Sequence, residues 1–324
     1  MYSWDEDTSG WYGEAKYSYS AKGGKKRAAA AKRATVDGPR TYATKAQPNA
    51  KIIDPKKRVS TESKNPLIVA VDVTGSMANW PSEIFDRLPL LFNTLSQYRE
   101  DLEICFAAIG DAAYDEWPLQ VTTFASGYDL EQQLGSLYGE GGGGDGPEGY
   151  GLFAHWVNTH VEVPNAEEKP FLIVFGDAPM HPAIPQGQIT HYLGDKARRD
   201  VDAIKAWNAL SDNWNMWFLR RPTGRPGDSV DRQWAKAITE QKIFHIKDEQ
   251  RAVDYAMGLI ARAWDHFGDF QDNMRARQSE DKVAEISAPI EMKCPRCGAP
   301  IPVDAAGSAG GMFKCPYCDA TLRL

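Results

Sequence analysis

Residues 67–77 of the chain read Leu-Ile-Val-Ala-Val-Asp-Val-Thr-Gly-Ser-Met. The apolar run at the start of this stretch is typical of a strand that is buried on both faces of a parallel sheet. Every second residue after this run is polar, which directs the side chains of Asp72, Thr74 and Ser76 to the same side. They lie beyond the carboxyl end of the strand, where open α/β sheets bind ligands. One carboxylate and two hydroxyls suit Mg²⁺, Mn²⁺ or Ca²⁺ better than zinc. The stretch therefore predicts a divalent-cation site.

Patterns of strand and helix alternate around this stretch, which predicts a doubly wound, mostly parallel α/β sheet with helices on both faces. Nine residues (110–118) connect the predicted strands 102–109 and 119–124, whereas a parallel crossover needs about a dozen. This pair is therefore predicted to be antiparallel, with the short strand at an edge. Further strands are predicted at 171–175, 216–220 and 242–246, and helices at 81–98, 129–138, 147–160, 195–210, 230–239 and 250–267.

Two more acidic loops are expected at the same edge of the sheet. Asp177 closes a predicted strand as Asp72 does, and Asp145 lies in a glycine-rich loop, residues 139–149, that leads into a helix. The glycines allow the backbone of this loop to approach an ion closely. His181 is a candidate for a hydrogen bond to one of the ligands, and a solvated loop histidine is the alternative. For the whole cluster the alternative is a set of turn and cap residues without a ligand.

Together these three motifs resemble the von Willebrand factor A (vWA) domain with its metal-ion-dependent adhesion site. The motif sequences are most similar to those of vWA domains in bacterial proteins and of vWA domains found beside α-kinases. The resemblance spans about residues 65–268. It implies that Asp72, Thr74 and Ser76 stand at the family's Asp-x-Ser-x-Ser motif, and that Asp177 is the acidic residue of the later loop.

The middle loop departs from the family pattern. Many members place a Thr there, whereas this chain offers Asp145. If Asp145 is a direct ligand, it adds a third carboxylate to those of Asp72 and Asp177, and three carboxylates over-neutralise a divalent ion. We expect such a site to retain its metal and to have a weaker tendency to capture the carboxylate of a partner.

Two Cys-x-x-Cys pairs stand near the end of the chain, Cys294 with Cys297 and Cys315 with Cys318, and 17 residues separate the pairs. This spacing resembles a zinc ribbon with a closed Cys₄ site. The redox alternative would need a thioredoxin-like βαβ setting, which the sequence does not predict here. Residues 289–324 are too few for a core, so zinc is expected to supply most of their folding free energy.

The chain of 324 residues is therefore predicted to have four parts. The first part has 14 Lys/Arg and 7 Asp/Glu over residues 1–65, a surplus of +7, which leaves −14 for the remainder of a chain with net charge −7. A partly disordered arm is the simplest interpretation, and an arm that contacts nucleic acid is the alternative. The parts are a basic, aromatic-containing arm (1–64), the vWA domain (65–268), a helical connector (269–288) and the zinc ribbon (289–324).

Several classes of protein are disfavoured. The chain begins without the features of a secretory signal, its apolar runs are shorter than the roughly 20 residues that span a bilayer, and its five cysteines form no disulfide pattern, so a cytoplasmic location is expected. Val73 separates Asp72 from Thr74, unlike the Asp-Thr-Gly of aspartic proteases. The glycine-rich loop lacks the Gly-Lys-Ser/Thr ending of a phosphate-binding loop.

The expected function is consequently binding without catalysis and without a small-molecule substrate. The divalent cation belongs to the vWA site, the zinc ribbon offers a second contact surface, and the partner is a protein. The resemblance to intracellular vWA proteins implies an adaptor within a multiprotein complex, such as one with an AAA+ ATPase. Two alternatives stay open: a nucleic-acid-associated protein that uses the basic arm and the ribbon, and, more remotely, a metal-dependent hydrolase.

Overall fold

The computed structural model describes residues 50–139, 146–291, 312–314 and 320–323 of the chain. It divides into two compact units, residues 1–252 and residues 253–324. No helix among the described residues is long and apolar enough to cross a membrane.

A six-stranded sheet forms the centre of the first unit. Its strands lie in the order β6-β5-β4-β1-β2-β3, and all neighbours are parallel except β2 and β3. The predicted mostly parallel α/β sheet is thereby confirmed, as is the short antiparallel strand at its edge. The strands are β1 (Asn65–Asp72), β2 (Leu102–Ile109), β3 (Leu119–Val121), β4 (Phe171–Gly176), β5 (Asn215–Arg220) and β6 (Ile243–His245).

Strand β1 lies at the centre because its apolar run supplies both faces of the sheet. Ile68 and Ala70 belong to the core on one face, and Leu67 and Val69, which alternate with them, are fully buried as well. The chain adds β2 on one side of β1 and later adds β4 on the other side. The edge between β1 and β4 is therefore the topological switch point, where ligands bind in open sheets of this kind.

Three helices pack over the face of the sheet that carries Ile68. A group of tryptophans fills the space between them: Trp207 and Trp234 have ring centroids 5.1 Å apart, and Trp234 stacks on Phe218 of β5 at 3.9 Å. The helices of the first unit are α1 (Trp80–Leu95), α2 (Asp129–Leu134), α3 (Tyr150–His160), α4 (Ala203–Leu210) and α5 (Ser229–Ile238), of which α3, α4 and α5 form this layer.

Short elements complete the first unit, including part of the predicted arm. Ile53 and Val59 are buried, with 0% and 3% of their surface exposed, so the end of the arm packs against the first unit. Strand Val59–Ser60 pairs in parallel with Val161–Glu162, and Ala183–Ile184 pairs antiparallel with Val201–Asp202. Helical turns lie at Ala50–Ile53, Gly75–Met77, Gln186–Gln188, Ile189–Leu193, Glu240–Lys242 and Glu249–Arg251.

Two predicted elements are shorter than expected. The helix predicted from residue 195 begins only at Ala203, because Asp202 caps it by accepting a hydrogen bond from the Lys205 backbone N–H at 2.9 Å. The strand predicted to reach residue 124 ends at Val121. There the Thr122 hydroxyl accepts the Phe106 backbone N–H at 2.8 Å, so that a side chain replaces the carbonyl that would continue the ladder.

The second unit contains three described helices and a hairpin. The helix predicted over residues 250–267 ends at Ala263, because Asp265 adopts a left-handed conformation with φ of 63°. The ion pair between Arg277 and Asp254 is buried, with its N and O atoms 3.2 Å apart. The elements are α6 (Ala252–Ala263), α7 (Phe267–Arg275), α8 (Glu280–Ile290) and the antiparallel strands Met312–Lys314 and Thr321–Arg323.

Candidate functional site

The loops after β1 and β4 meet at the switch point of the sheet. Asp72 is the last residue of β1, and Asp177 directly follows the last residue of β4. The Ser76 hydroxyl, which is exposed at the surface, donates a hydrogen bond to Oδ1 of Asp177 at 2.8 Å. The structure therefore brings the side chains of Asp72, Thr74, Ser76 and Asp177 into one cluster.

A tight turn fixes the hydroxyls of this cluster. Oδ1 of Asp72 accepts the backbone N–H of Thr74 at 2.8 Å and its hydroxyl at 2.6 Å. The hydroxyl oxygens of Thr74 and Ser76 are 3.3 Å apart. Val73 lies between the polar residues and is buried, so the expected alternation holds through the turn.

Two side chains from other elements complete the hydrogen bonding of the carboxylates. The Tyr150 hydroxyl, at the start of α3, donates to Oδ2 of Asp72. Arg221, directly after β5, donates from Nη1 to Oδ2 of Asp177 at 3.3 Å and also to the Ser76 carbonyl. One carboxylate thus has a neutral donor, and the other has a cationic one.

Glu148 lies beside this cluster, at the end of the glycine-rich loop. Its side chain is 3% exposed, and its carboxyl group lies near the Thr74 side chain. The Glu148 backbone N–H donates to the Pro179 carbonyl at 2.9 Å, and its own carbonyl accepts from the His181 N–H at 3.3 Å. The backbone thereby ties the glycine-rich loop to the loop that carries Asp177.

A further acidic residue, Asp111, lies in the loop after β2. Its Oδ1 atom is 3.1 Å from Nε2 of His181, and its side chain is fully buried. The Asp115 carboxylate in the same loop accepts the Asp111 backbone N–H at 2.7 Å. His181 therefore contacts Asp111, one step outward from the carboxylates of Asp72 and Asp177.

Burial of so many carboxyl groups shifts their pKa values upward. Burial raises the pKa of Asp72 to about 7, and the charge of Asp177 adds to the shift. Burial raises the pKa of Glu148 to about 10, with further contributions from Asp72 and Asp111. The pKa of Asp177 is raised by burial even though Ser76 and Arg221 act in the opposite direction. The cluster thus gathers carboxyl groups whose ionised forms are poorly solvated, and a bound cation would stabilise those forms.

The oxygen atoms of the cluster are suitable ligands for a hard divalent cation. All are carboxylate or hydroxyl oxygens, the ligands that Mg²⁺, Mn²⁺ and Ca²⁺ prefer. Two buried carboxylate atoms, Oε2 of Glu148 and Oδ2 of Asp111, have no hydrogen-bond partner among the described residues. Across residues 50–139 and 146–291, no three His, Cys, Asp or Glu side chains form a metal-binding group by themselves. The hydroxyls of Thr74 and Ser76 are therefore needed to complete such a site.

Asp145 and the four cysteines of the predicted zinc site lie outside the described residues. The structural description of the predicted site residues is accordingly limited to Asp72, Thr74, Ser76, Asp177 and His181.

Four residues of the site were not found from the sequence. Asp111 and Arg221 each closely follow the end of a strand, so the reasoning that selected Asp72 also applies to them. Glu148 and Tyr150 have a weaker signal, which is their place at the start of a helix behind the glycine-rich loop.

No protein-family model and no curated protein matches the sequence. Similar solved structures include proximal thread matrix protein 1 from the mussel byssus (9% identity, 65% of this chain and 49% of that chain, TM-score 0.45) and the pilus adhesin SpaC from Lactobacillus rhamnosus GG (9% identity, 66% and 32%, TM-score 0.46). The SpRpn10 VWA domain is another (14% identity, 59% and 94%, TM-score 0.37).

The chain spans less than half the length of the first two of these proteins, 49% and 32%. With TM-scores below 0.5, the similarities identify no family for this chain.

Proposed function

We propose that this chain is a non-enzymatic, metal-dependent protein-binding module with a vWA-type domain. In this proposal the domain holds a divalent cation, Mg²⁺ or alternatively Mn²⁺ or Ca²⁺, with Asp72, Thr74, Ser76, Asp145 and Asp177. The observation that carries the proposal is the Ser76–Asp177 hydrogen bond of 2.8 Å, which joins the loops of two central strands over buried carboxylates. A cation there would neutralise the carboxylates and fix the exposed loops that a partner contacts.

The zinc ribbon is the second contact surface in this proposal. Cys294, Cys297, Cys315 and Cys318 would hold one Zn²⁺ in a closed site, which supplies folding free energy and leaves no position open for catalysis. The described strands Met312–Lys314 and Thr321–Arg323 form an antiparallel pair and flank the second cysteine pair in the sequence, which is compatible with a ribbon. We propose a cytoplasmic adaptor whose partner is a protein, such as an AAA+ ATPase or another component of its complex.

Thermal unfolding tests the cation site. The chain is first treated with EDTA, and its melting temperature is then measured with and without added Mg²⁺ or Mn²⁺. Because binding to the folded state alone stabilises it, the melting temperature of wild type should rise by several degrees, whereas that of Asp72→Ala should not. Asp212→Ala, which removes an exposed carboxylate, should respond as wild type does. Equal shifts in wild type and Asp72→Ala would contradict the site.

A pull-down from cell lysate with the full chain as bait tests the binding function. The proposal expects a protein that is retained in Mg²⁺, released by EDTA and absent from a pull-down with Asp72→Ala. Retention of nucleic acid with a steep dependence on salt concentration would instead support the alternative, because contacts to phosphates release counterions.

A further inference from the structure

Glu148 combines burial, a carboxyl group and an oxygen atom that is free to act as a ligand. Its side chain is 3% exposed, and no described residue hydrogen-bonds its Oε2 atom. A glutamate with a purely structural role is expected to have its buried oxygens hydrogen-bonded. The unpartnered oxygen therefore needs an explanation beyond packing.

The surroundings of Glu148 show what its carboxyl group faces. The group lies near the Thr74 side chain, and the charges of Asp72 and Asp111 act on it. Thr74 in turn contacts both Asp72 and Ser76, at 2.6 Å and 3.3 Å. The Glu148 side chain thus points at the cluster that the proposed cation would occupy.

The backbone holds Glu148 in this position. Its N–H is bonded to the Pro179 carbonyl at 2.9 Å, and the N–H of the next residue, Gly149, is bonded to the Gly110 carbonyl at 3.1 Å. A side chain at Gly149 would overlap the Gly110 carbonyl oxygen, so this close approach requires glycine. The carboxyl group of Glu148 is consequently presented from a fixed backbone, as a metal ligand requires.

We propose that Glu148 is a direct ligand of the divalent cation and binds it through Oε2. The inference rests on the proposed function and adds a residue to its site. Glu148 supplies a carboxylate from the middle loop, beside the carboxylates of Asp72 and Asp177. These three carboxylates over-neutralise a divalent ion with residues of this chain alone. Recognition of the protein partner therefore does not require an Asp or Glu from the partner to complete the coordination.

Titration with Mn²⁺, followed by electron paramagnetic resonance of the free ion, tests the inference on the full chain with its zinc site occupied. Glu148→Gln removes the charge but keeps the size, and Glu148→Asp keeps the charge but shortens the side chain. Glu116→Gln is the matched control, because Glu116 is an exposed glutamate near the same edge of the sheet. Asp72→Ala provides the background of binding outside the site.

We expect the Kd for Mn²⁺ to rise at least tenfold in Glu148→Gln and also in Glu148→Asp, while Glu116→Gln matches wild type. In EDTA, Glu148→Gln should melt close to the wild-type temperature, because glutamine keeps the size and the polarity of the side chain. This second measurement separates lost ligation from misfolding.

Three outcomes would overturn the inference. If Glu148→Gln binds Mn²⁺ as wild type does, Glu148 is not a ligand. If Glu148→Asp equals wild type while Glu148→Gln is weakened, Glu148 acts through its charge alone. If wild type binds no more Mn²⁺ than Asp72→Ala, the proposed cation site fails together with the inference, and this result is distinguishable from the other two.

Discussion

The hydroxyl of Tyr150 donates a hydrogen bond to Oδ2 of Asp72, which links the first residue of α3 to the last residue of β1. Both side chains are fully buried. The same aspartate oxygen is therefore shielded from water and held in place by a helix that begins directly behind the glycine-rich loop. Loss of this donor would leave a buried carboxylate atom without a partner.

The first prediction concerns that donor. Tyr150→Phe keeps the ring and removes the hydroxyl, so the free energy of unfolding in EDTA should fall by about 1–3 kcal/mol, the cost of an unsatisfied buried acceptor. Urea denaturation measures the change. The control is Tyr128→Phe, because Tyr128 is 63% exposed, and it should leave the free energy of unfolding unchanged. An unaltered value for Tyr150→Phe would show that the Tyr150–Asp72 hydrogen bond contributes nothing to stability.

Gly176, at the end of β4, gives the second prediction. A side chain there would overlap the Tyr150 hydroxyl first and the Phe218 ring next. Gly176→Ala should therefore destabilise the domain by about 1–3 kcal/mol, as overpacking does in other cores. In a Tyr150→Phe background the same substitution should cost less, because the closest atom is gone. A double-mutant cycle measured by urea unfolding tests this coupling, and strict additivity of the two changes would contradict it.

Arg221 gives the third prediction, which concerns metal affinity. Its guanidinium lies 3.3 Å from Oδ2 of Asp177 and would repel a divalent cation held by the same carboxylate. Arg221→Gln should therefore tighten Mn²⁺ binding by a few-fold to about tenfold. The unfolding temperature in EDTA should fall, because Asp177 loses its cationic partner.

The control for this experiment is Arg225→Gln, which removes one positive charge from an exposed residue of the same loop. Its Kd for Mn²⁺ should stay near the wild-type value. Weaker binding in Arg221→Gln would indicate that Arg221 supports the site by positioning Asp177.

The fourth prediction uses pH. Arg220 is buried and donates to Asp228 at 2.7 Å and 2.8 Å, and its guanidinium holds the pKa of Asp228 at about 2. A carboxylate with a lowered pKa in the folded state stabilises that state above its unfolded pKa, near 4. This contribution should be lost as the pH falls from about 4 to about 2.

Asp228→Asn isolates this charge, since asparagine still caps the helix that begins at Ser229. The variant should be less stable than wild type at pH 7, and the difference should shrink as the pH approaches 2. Urea unfolding at a series of pH values measures it. A difference that is independent of pH would show that the ion pair does not contribute through its charge.

The fifth prediction concerns the zinc ribbon expected from the cysteine spacing. Elemental analysis of the purified chain should find one zinc per chain, and Cys294→Ser should lose it, because a closed Cys₄ site needs all four thiolates. Cys105→Ser is the control, since Cys105 is buried in the first unit, and it should retain the zinc. A wild-type chain without zinc would rule out the ribbon.

Much of the central sheet could be predicted from the sequence, because the signals were local. The apolar run of β1 and the short connection between β2 and β3 sufficed to predict a buried parallel strand and an antiparallel edge. The start of α4 at Ala203 could not be predicted, because residues 195–202 are rich in charges and contain Ala and Val at spacings that a helix also tolerates. Val201 and Asp202 instead pair with Ala183–Ile184, which is a long-range contact.

In the candidate site, too, the features set by local sequence could be predicted and those set by long-range contacts could not. Asp72, Thr74 and Ser76 share one turn, so their meeting followed from strand geometry, and Asp177 followed from the rule for strand ends. The contacts of Glu148, Tyr150 and Arg221 depend on the paths of loops between distant elements, which no periodicity encodes. Glu148 reaches the site because backbone hydrogen bonds fix its loop, and the sequence does not indicate which carbonyls those bonds reach.

Those backbone bonds have a mechanical consequence. The N–H groups of Glu148, Gly149 and His181 connect the glycine-rich loop to the loops after β2 and β4, at 2.9, 3.1 and 3.3 Å. These hydrogen bonds therefore resist the displacement of one loop relative to the other two. A partner that pulls on this edge has to move the three loops together or break the backbone hydrogen bonds between them.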